Sequence, residues 1–517
     1  MWAVISVAHG SSGWVTVERE SPPEPELPVI FCPIRRRVLT CMVKPQAPGP
    51  MNTDLPRHPG PGVLPETLRE GRLVLCEEVA RDGAQGKTLL LGPQRVDLLR
   101  RTAEVMGEHA DECLVSMVGF PAIGPGEVDC VRHCLEALDV GYQQVVCRTI
   151  ERDLLQCIEL MRDAHAGRVL FVVPASRPLA SAMLHATPEE ALEEAVRLLR
   201  LGIEEAAGEV SIDVCLADIG RAEPKAVAEA ANRLTREGAE VIMMADTVGR
   251  LHPLGHRDRL TRITRRLERE VCVHAHFHND LGLALGLNLQ ALELGHRMFG
   301  TSWLGLGERS GLGNTEELLG VLATATDGQL KDLGTDRDRL GISGWRPERI
   351  VETARAAASV LDMPRRVTDP FVGTGVNSIS TGTPFVAPAA FQPYDAEGVL
   401  GVPRRVELTH LASTRVVVEV ARRLGVELTR EAAATVRDRI KAEAYASGSA
   451  RVDLGRVLPR AAGGPQLIPE DQQPTAGPPD EQGPPAHPGE LRPLARQVTQ
   501  AQPGGLPEAP MQRQARA

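Results

Sequence analysis

VHAHFHNDLGLA, residues 273–284, joins a short strand-like pattern to a polar turn and the start of a helix-like pattern. His274, His276 and His278 occupy alternate positions, so in a strand all three face the same side. An Asn-Asp-Leu-Gly turn follows them directly. The stretch therefore predicts a strand that carries imidazoles on one face and gives way to a helix.

Apolar runs of this kind recur along the chain, six before this strand and one after it. Amphipathic helices separate them, and Val96, Leu99, Ala103 and Met106 share one face of the first. Eight strand–helix units in about 250 residues predict an α/β fold, a (β/α)₈ TIM barrel. A doubly wound open sheet is the alternative, but no Gly-rich phosphate fingerprint follows the first strand. The eight runs cover residues 72–78, 113–121, 142–149, 168–176, 210–218, 240–247, 271–278 and 298–307.

The composition divides the 517 residues into four segments. Residues 1–66 lack periodicity and are interpreted as disordered, or as an extension upstream of an alternative start at Met51. Residues 67–330 are predicted to form the TIM-barrel catalytic domain, and residues 331–455 are predicted to form a smaller, helix-rich α+β subdomain. The Pro-, Gly- and Gln-rich residues 456–517 predict a disordered tail.

The formal net charge of −10 is spread over interspersed charges of both signs. This pattern predicts no nucleic-acid partner and no membrane partner, and no apolar run reaches the length of a transmembrane helix. The ten cysteines form no CxxC pair, which predicts reduced thiols in a cytoplasmic protein.

A TIM barrel carries its active site at the carboxyl ends of its strands. Asp82 ends the first strand, and His276 and His278 end the seventh. Two imidazoles and one carboxylate with open positions suit a divalent metal that also binds substrate. Polar packing is the alternative interpretation of the His-x-His pattern. His274 lies deeper and is predicted to be a buried, hydrogen-bonded residue.

Five motifs in fixed order resemble the family that includes isopropylmalate, homocitrate and citramalate synthases, within the metallolyase superfamily of TIM barrels. The resemblance covers about residues 70 to 325 and implies a Claisen-type condensation of an acyl-CoA, such as acetyl-CoA, with a 2-oxo acid. The motifs are Arg81-Asp82-Gly83-x-Gln85, Gly119-Phe120-Pro121, Ala245-Asp246-Thr247-Val248-Gly249, His276-x-His278-Asn279-Asp280-x-Gly282 and Gly305-x-Gly307-Glu308-Arg309-x-Gly311.

The resemblance also implies roles for individual residues. Asp82, His276 and His278 ligate the metal, with Asn314 as a further polar contact. Arg81 stabilises the oxyanion or enolate, while Thr247 and Gln85 contact the 2-oxo acid. The cofactor is Mg²⁺, Mn²⁺ or Zn²⁺, the acyl-CoA is a cosubstrate, and the partners are small molecules in a homodimeric enzyme. An acyltransferase of this type serves amino-acid biosynthesis or specialised metabolism.

The sequence departs from the family pattern where proton transfer is expected. Met117, Ala217 and Pro384 stand at positions where the family carries acid or base residues. Asp218, Tyr394 and His410 are the candidate substitutes. Two alternatives to a synthase remain at this point: a retro-aldol or retro-Claisen lyase on the same barrel, and a non-catalytic descendant that binds a metabolite.

Overall fold

The computed structural model describes residues 60–85, 88–254, 258–450 and 452, and its parallel strands close into a barrel. Each strand overlaps one of the eight predicted runs, so the (β/α)₈ prediction is confirmed. The strands are β1 (Val74–Glu77), β2 (Leu114–Gly119), β3 (Tyr142–Arg148), β4 (Gly167–Pro174), β5 (Ser211–Ala217), β6 (Ile242–Asp246), β7 (Val273–Phe277) and β8 (Met298–Thr301).

The barrel closes where β8 pairs with both β7 and β1. Gly300 is the partner of His276 on one side and of Cys76 on the other. Residues in direct register point to the same face, so Cys76, Gly300 and His276 form one row of the inner wall. Asp82 and His278 follow β1 and β7 and therefore lie at the carboxyl end of this wall.

Alternation along each strand divides the apolar residues between two cores. Val146 of β3 packs inside the barrel, whereas Val145 and Cys147 pack outside it against the helices. The barrel region contains α1 (Val63–Glu70), α2 (Gly92–Met106), α3 (Ala110–Cys113), α4 (Pro125–Ala137), α5 (Glu151–Met161), α6 (Arg177–Leu184), α7 (Pro188–Ala206), α8 (Pro224–Arg236), α9 (Arg259–Thr264), α10 (Ala284–Glu293) and α11 (Thr315–Thr324).

Helix α7 begins with a reciprocal capping box. The Thr187 hydroxyl accepts from the Glu190 amide at 3.2 Å, and the Glu190 carboxylate accepts from the Thr187 amide at 2.8 Å. These two bonds satisfy amide groups that have no partner within the helix. None of the helices in the described part of the chain has the length and apolar character needed to cross a membrane.

Helix α1 covers the amino-terminal end of the barrel. Its Leu64 and Leu68 pack with residues that precede or begin the strands, among them Val241 and Cys272. The helix begins at Val63, three residues before the boundary predicted at residue 66, and buries Leu64 completely. That boundary stays a prediction. The other residues predicted to be disordered, 1–59 and 456–517, lie outside the described residues.

A buried ion pair lies inside the barrel at the same end. Arg168 of β4 donates to both carboxylate oxygens of Asp213 of β5, at 2.9 and 2.7 Å. Gln144 donates to the same carboxylate at 2.8 Å, and Glu240 accepts from Arg168 at 3.1 Å. Because both partners are almost fully buried, each depends on the other to offset its desolvation.

Beyond the barrel, the described residues as far as 452 form helices joined by irregular segments, with one pair of two-residue strands. Apolar residues as far as Leu400 pack in the outer core of the barrel, whereas Val416 and Ile440 belong to a separate cluster. The boundaries at 331 and 455 stay predictions. The elements are α12 (Asp327–Asp332), α13 (Arg337–Leu340), α14 (Ile350–Val360), β9 (Ser378–Ile379), α15 (Gly382–Val386), α16 (Ala396–Leu400), β10 (Arg405–Val406), α17 (Thr414–Arg423) and α18 (Arg430–Ser447).

Candidate metal centre

Asp82 reaches the barrel mouth on a tight turn that follows β1. The backbone carbonyl of Glu78 accepts from the amides of Arg81 and Asp82, at 3.0 and 2.8 Å. One carboxylate oxygen of Asp82 accepts from Arg81 Nη1 at 2.8 Å and the other from the Glu308 amide at 3.0 Å. A Cβ at Gly307 would lie 2.8 Å from that second oxygen. The loop after β8 therefore packs directly on Asp82 and fixes its orientation.

His276 and His278 approach the same point from β7. Their Nε2 atoms lie 3.3 Å apart, and their rings meet edge to face. Both side chains are buried, and one ligand atom from each lies within 4.8 Å of the other and of an Asp82 oxygen. Strand alternation thus places the two histidines side by side, and closure of the barrel through β8 brings Asp82 to them.

Burial and neighbouring charges set the protonation of this group. Burial raises the pKa of Asp82, but Arg81 and the two histidines outweigh it, so the net shift is downward. Burial, together with His276, lowers the pKa of His278 to about 4. Burial lowers the pKa of His276, but the Glu78 carboxylate outweighs it, and the net shift is upward. Near pH 7 Asp82 is ionised and His278 is neutral, the states that metal ligands require.

The donor set fits a divalent cation. Two imidazole nitrogens and one carboxylate oxygen leave further positions for water or substrate oxygens, which suits Zn²⁺, Mg²⁺ or Mn²⁺. His278 Nδ1 is buried without a hydrogen-bond partner among the described residues, whereas its Nε2 lies beside the Nε2 of His276. The cation would be held by Asp82, His276 and His278.

His274 lies one residue pair deeper in the barrel. Its complete burial was predicted correctly, but the predicted hydrogen bond was wrong, since neither ring nitrogen has a partner among the described residues. The nearest carboxylate is that of Glu78, with 3.7 Å between Nε2 and Oε1. Burial lowers the pKa of His274 to about 4, so its imidazole is neutral.

The loops after β6, β7 and β8 are tied together at the mouth by Arg309. Its guanidinium donates to both oxygens of Asp280, at 3.0 and 2.9 Å. It also donates to the backbone carbonyl of Thr247 at 2.6 Å. Thr247, a predicted substrate contact, is therefore held by the loop that also packs on the proposed metal ligands.

Asp218 follows β5 and adjoins Thr247. Its amide donates to the Thr247 hydroxyl at 2.9 Å, while its carboxylate accepts from Ser176 and, at 2.6 Å, from Arg221. Oδ1 is buried and has no hydrogen-bond partner in the described part of the chain. The backbone φ of 67° is unusual for a residue other than glycine, and such strain is concentrated at functional sites.

The other predicted site residues have different surroundings. The backbone N–H of Gln85 donates to the backbone carbonyl of Asp82 at 3.0 Å and closes the turn after β1. Asn314 donates to Glu316 at 3.0 Å at the start of α11. Tyr394 stacks on a phenylalanine outside the barrel, and His410 lies against Tyr445 of α18. The roles assigned to these residues stay predictions.

The positions that depart from the family pattern also differ in location. Met117 and Ala217 are buried in the apolar interior of the barrel, whereas Pro384 lies in α15, outside it. The carboxylate within the barrel near the histidines is instead Glu78, whose Oε1 lies 2.7 Å from His276 Nδ1. We did not predict this residue. The Glu-Glu pair that ends the first apolar run was the available signal.

The chain is similar to curated proteins named 2-isopropylmalate synthase. The 2-isopropylmalate synthase of Enterobacter sp. (strain 638) is 24% identical over 314 residues, which are 60% of this chain and 56% of that protein. The 2-isopropylmalate synthase of Solidesulfovibrio magneticus is 26% identical over 258 residues, which are 49% and 48% of the two chains. This chain thus spans about half the length of these relatives.

A crystal structure of the HMG-CoA lyase from Brucella melitensis is similar over 56% of this chain and 99% of that one, with 20% identity and a TM-score of 0.45. The family model described as HMGL-like matches residues 72–339, which include all eight barrel strands and the three proposed metal ligands. This match covers just over half of the sequence and agrees with the resemblance carried by the five motifs. The chain therefore belongs to the HMGL-like family, as a divergent member.

Proposed function

We propose that this chain catalyses a metal-dependent Claisen-type condensation of an acyl-CoA with a 2-oxo acid. The observation that carries the proposal is the convergence of Asp82, His276 and His278 at the mouth of the barrel. The names of the matched synthases support the reaction class. The choice of acetyl-CoA as the acyl donor rests on the resemblance.

The reaction makes one carbon–carbon bond and breaks one thioester. The α-carbon of the acyl-CoA loses a proton and bonds to the ketone carbon of the 2-oxo acid, whose oxygen gains a proton. Water then cleaves the thioester and releases free CoA with a 2-hydroxy acid. A divalent cation bound at this site supplies Lewis-acid polarisation of the 2-oxo acid, an effect worth several kcal/mol.

Arg81 has the donor group that the developing oxyanion requires. Its Nη1 is engaged by Asp82, but its Nε is buried and lacks a hydrogen-bond partner among the described residues. A guanidinium N–H forms a charge-assisted hydrogen bond, which is stronger where water is excluded. In this proposal Arg81 donates to the substrate oxygen that becomes negatively charged.

Asp218 is the strongest of the three candidate acid–base residues. It follows a barrel strand and has an unpartnered carboxylate oxygen, whereas Tyr394 and His410 make their ring contacts outside the barrel. Through its amide, Asp218 also orients the hydroxyl of Thr247. We assign Asp218 to proton transfer and Thr247 to the carboxylate of the 2-oxo acid. Homodimerisation and a cytoplasmic location stay predictions.

The test measures free CoA released from acetyl-CoA with a panel of 2-oxo acids, in the presence of Mg²⁺, Mn²⁺ or Zn²⁺. We expect release that requires both the oxo acid and the metal, and that is lost in His276→Ala. The matched control His133→Ala removes an exposed imidazole from α4 and should retain wild-type turnover.

Two other outcomes would overturn the proposal. Cleavage of a 3-hydroxyacyl-CoA, without condensation of any oxo acid, would identify a lyase. Metal binding without either reaction would identify a non-catalytic descendant. Circular dichroism of both variants confirms that a loss of turnover does not arise from unfolding.

A further inference from the structure

Glu78 is a fully buried carboxylate that none of the roles above uses. Glu78 directly follows the last residue of β1, two positions after Cys76, whose side chain faces the barrel interior. Its Oε1 lies 2.7 Å from His276 Nδ1, within the range of a charge-assisted hydrogen bond. The second oxygen, Oε2, has no hydrogen-bond partner among the described residues, and its nearest cation is Arg81 at 3.8 Å.

The barrel wall is shaped to receive this carboxylate. A Cβ at Gly300 of β8 would lie 2.2 Å from Glu78 Oε1 and 2.8 Å from His274 Nε2. Real Cβ atoms essentially never approach another atom within 3.0 Å. The missing side chain on β8 therefore leaves the space in which the Glu78 carboxylate lies between two imidazoles.

The bond to Glu78 determines which nitrogen of His276 carries the proton. A carboxylate accepts, so Nδ1 must be protonated, and the lone pair of the neutral ring is then on Nε2. That Nε2 is the atom that lies 3.3 Å from His278 Nε2. The buried carboxylate also increases the basicity of the ring that it contacts.

We propose that Glu78 is a positioning residue that holds His276 in the tautomer and orientation required to bind the divalent cation. The assignment rests on the metal site of the proposed function, but not on which reaction occurs there. It also accounts for a fully buried carboxylate beside the apolar side chains of Met117 and Ala217, which belong to the inner core of the barrel.

A competing arrangement uses the same carboxylate as a direct ligand. Cys76, Glu78 and His274 each offer a ligand atom within 4.8 Å of the others. Glu78 Oε1, however, lies 2.7 Å from His276 Nδ1 but 3.7 Å from His274 Nε2, so this oxygen already accepts the hydrogen bond from His276. We therefore favour the positioning role, and the number of bound metal ions separates the two arrangements.

The experiment titrates the full chain with Mn²⁺ and measures the free ion by electron paramagnetic resonance, with no substrate present. We expect one ion per chain in the wild type. Glu78→Leu removes both the acceptor and the charge and should weaken binding about 100-fold. Glu78→Gln keeps an acceptor of nearly the same shape and should weaken binding about tenfold. Cys76→Ser is the control and should bind as the wild type does.

Wild-type affinity in both Glu78 variants would overturn the positioning role, and so would two ions in the wild type with one lost in Glu78→Gln. Thermal unfolding followed by circular dichroism shows whether each variant folds. If Glu78→Leu does not fold, the Mn²⁺ affinity of the near-isosteric Glu78→Gln decides the test. Mn²⁺ binding with the expected losses but without condensation overturns the proposed function alone. Absence of both Mn²⁺ and Zn²⁺ binding in the wild type overturns both proposals.

Discussion

Substituting Gly300 by alanine tests whether the space on β8 is what seats the Glu78 carboxylate. The new methyl group would lie 2.2 Å from Glu78 Oε1, and contacts shorter than 3.0 Å are essentially never observed for real Cβ atoms. The carboxylate must therefore move by about 1 Å. A movement of that size is enough to break its 2.7 Å bond to His276 Nδ1.

The expected cost has two parts. Overpacking a buried site costs about 1–3 kcal/mol, because neighbouring groups must leave their preferred positions. Loss of a hydrogen bond to a charged group costs about 1.5–3 kcal/mol. We therefore expect Gly300→Ala to lower the free energy of unfolding by about 3–5 kcal/mol, a large part of the typical total of about 5–15 kcal/mol.

Urea unfolding followed by circular dichroism measures this change. The control is Gly286→Ala on the exposed face of α10, where an added Cβ meets nothing within 4 Å. Because glycine is unfavourable within a helix, the control should gain about 0.5–1 kcal/mol. Equal unfolding midpoints for Gly300→Ala and the wild type would refute the packing of Glu78 against β8. Gly300→Ala should also bind Mn²⁺ more weakly than Gly286→Ala does.

Three further predictions concern the buried charges and the metal. Asp213→Ala leaves Arg168 buried without its main partner and should lower the free energy of unfolding by about 3–5 kcal/mol in urea. Burial lowers the pKa of His296 to about 4, so the unfolded chain takes up the proton first. The neutral imidazole of His296 therefore contributes fully to the free energy of unfolding above about pH 6.5. About 3 kcal/mol of that free energy is lost as the pH falls to about 4. His296→Gln should remove this dependence. Mn²⁺ at 100 times its Kd should stabilise the wild type by about 2.7 kcal/mol, but should not stabilise His278→Ala.

Each of these predictions has a matched control or a contradicting outcome. Arg200 and Glu237 form an exposed ion pair, and Arg200→Ala should cost less than about 1 kcal/mol. If Asp213→Ala lowered the free energy of unfolding by no more than Arg200→Ala does, the Arg168–Asp213 pair would not be desolvated. The exposed His133 supplies the pH control, since His133→Gln should keep the wild-type dependence. Equal Mn²⁺ stabilisation of His278→Ala and the wild type would remove His278 from the metal site.

The barrel and the three proposed metal ligands could be predicted because they depend on local patterns. Alternation with a period of two places His276 and His278 on one face of a strand, whatever the rest of the chain does. The rule that barrel sites lie at the carboxyl ends of strands then adds Asp82. The helix boundaries were less accessible. Leu64 and Leu68 of α1 pack against residues far along the chain, such as Val241 and Cys272, and no local pattern marks those contacts.

The sequence by itself therefore determined the eight-stranded barrel, the shared face of His276 and His278 on β7, and the position of Asp82 at the carboxyl end of β1. Only the tertiary structure decided which of those residues touch. Glu78 and His276 are 198 positions apart, and their contact depends on the closure of β8 between them and on the space at Gly300. Likewise, the hydrogen bonds of Asp218 and Arg309 join loops from different strands. Spacing along the chain does not encode such distances, because they follow from how the closed barrel brings its strand ends together.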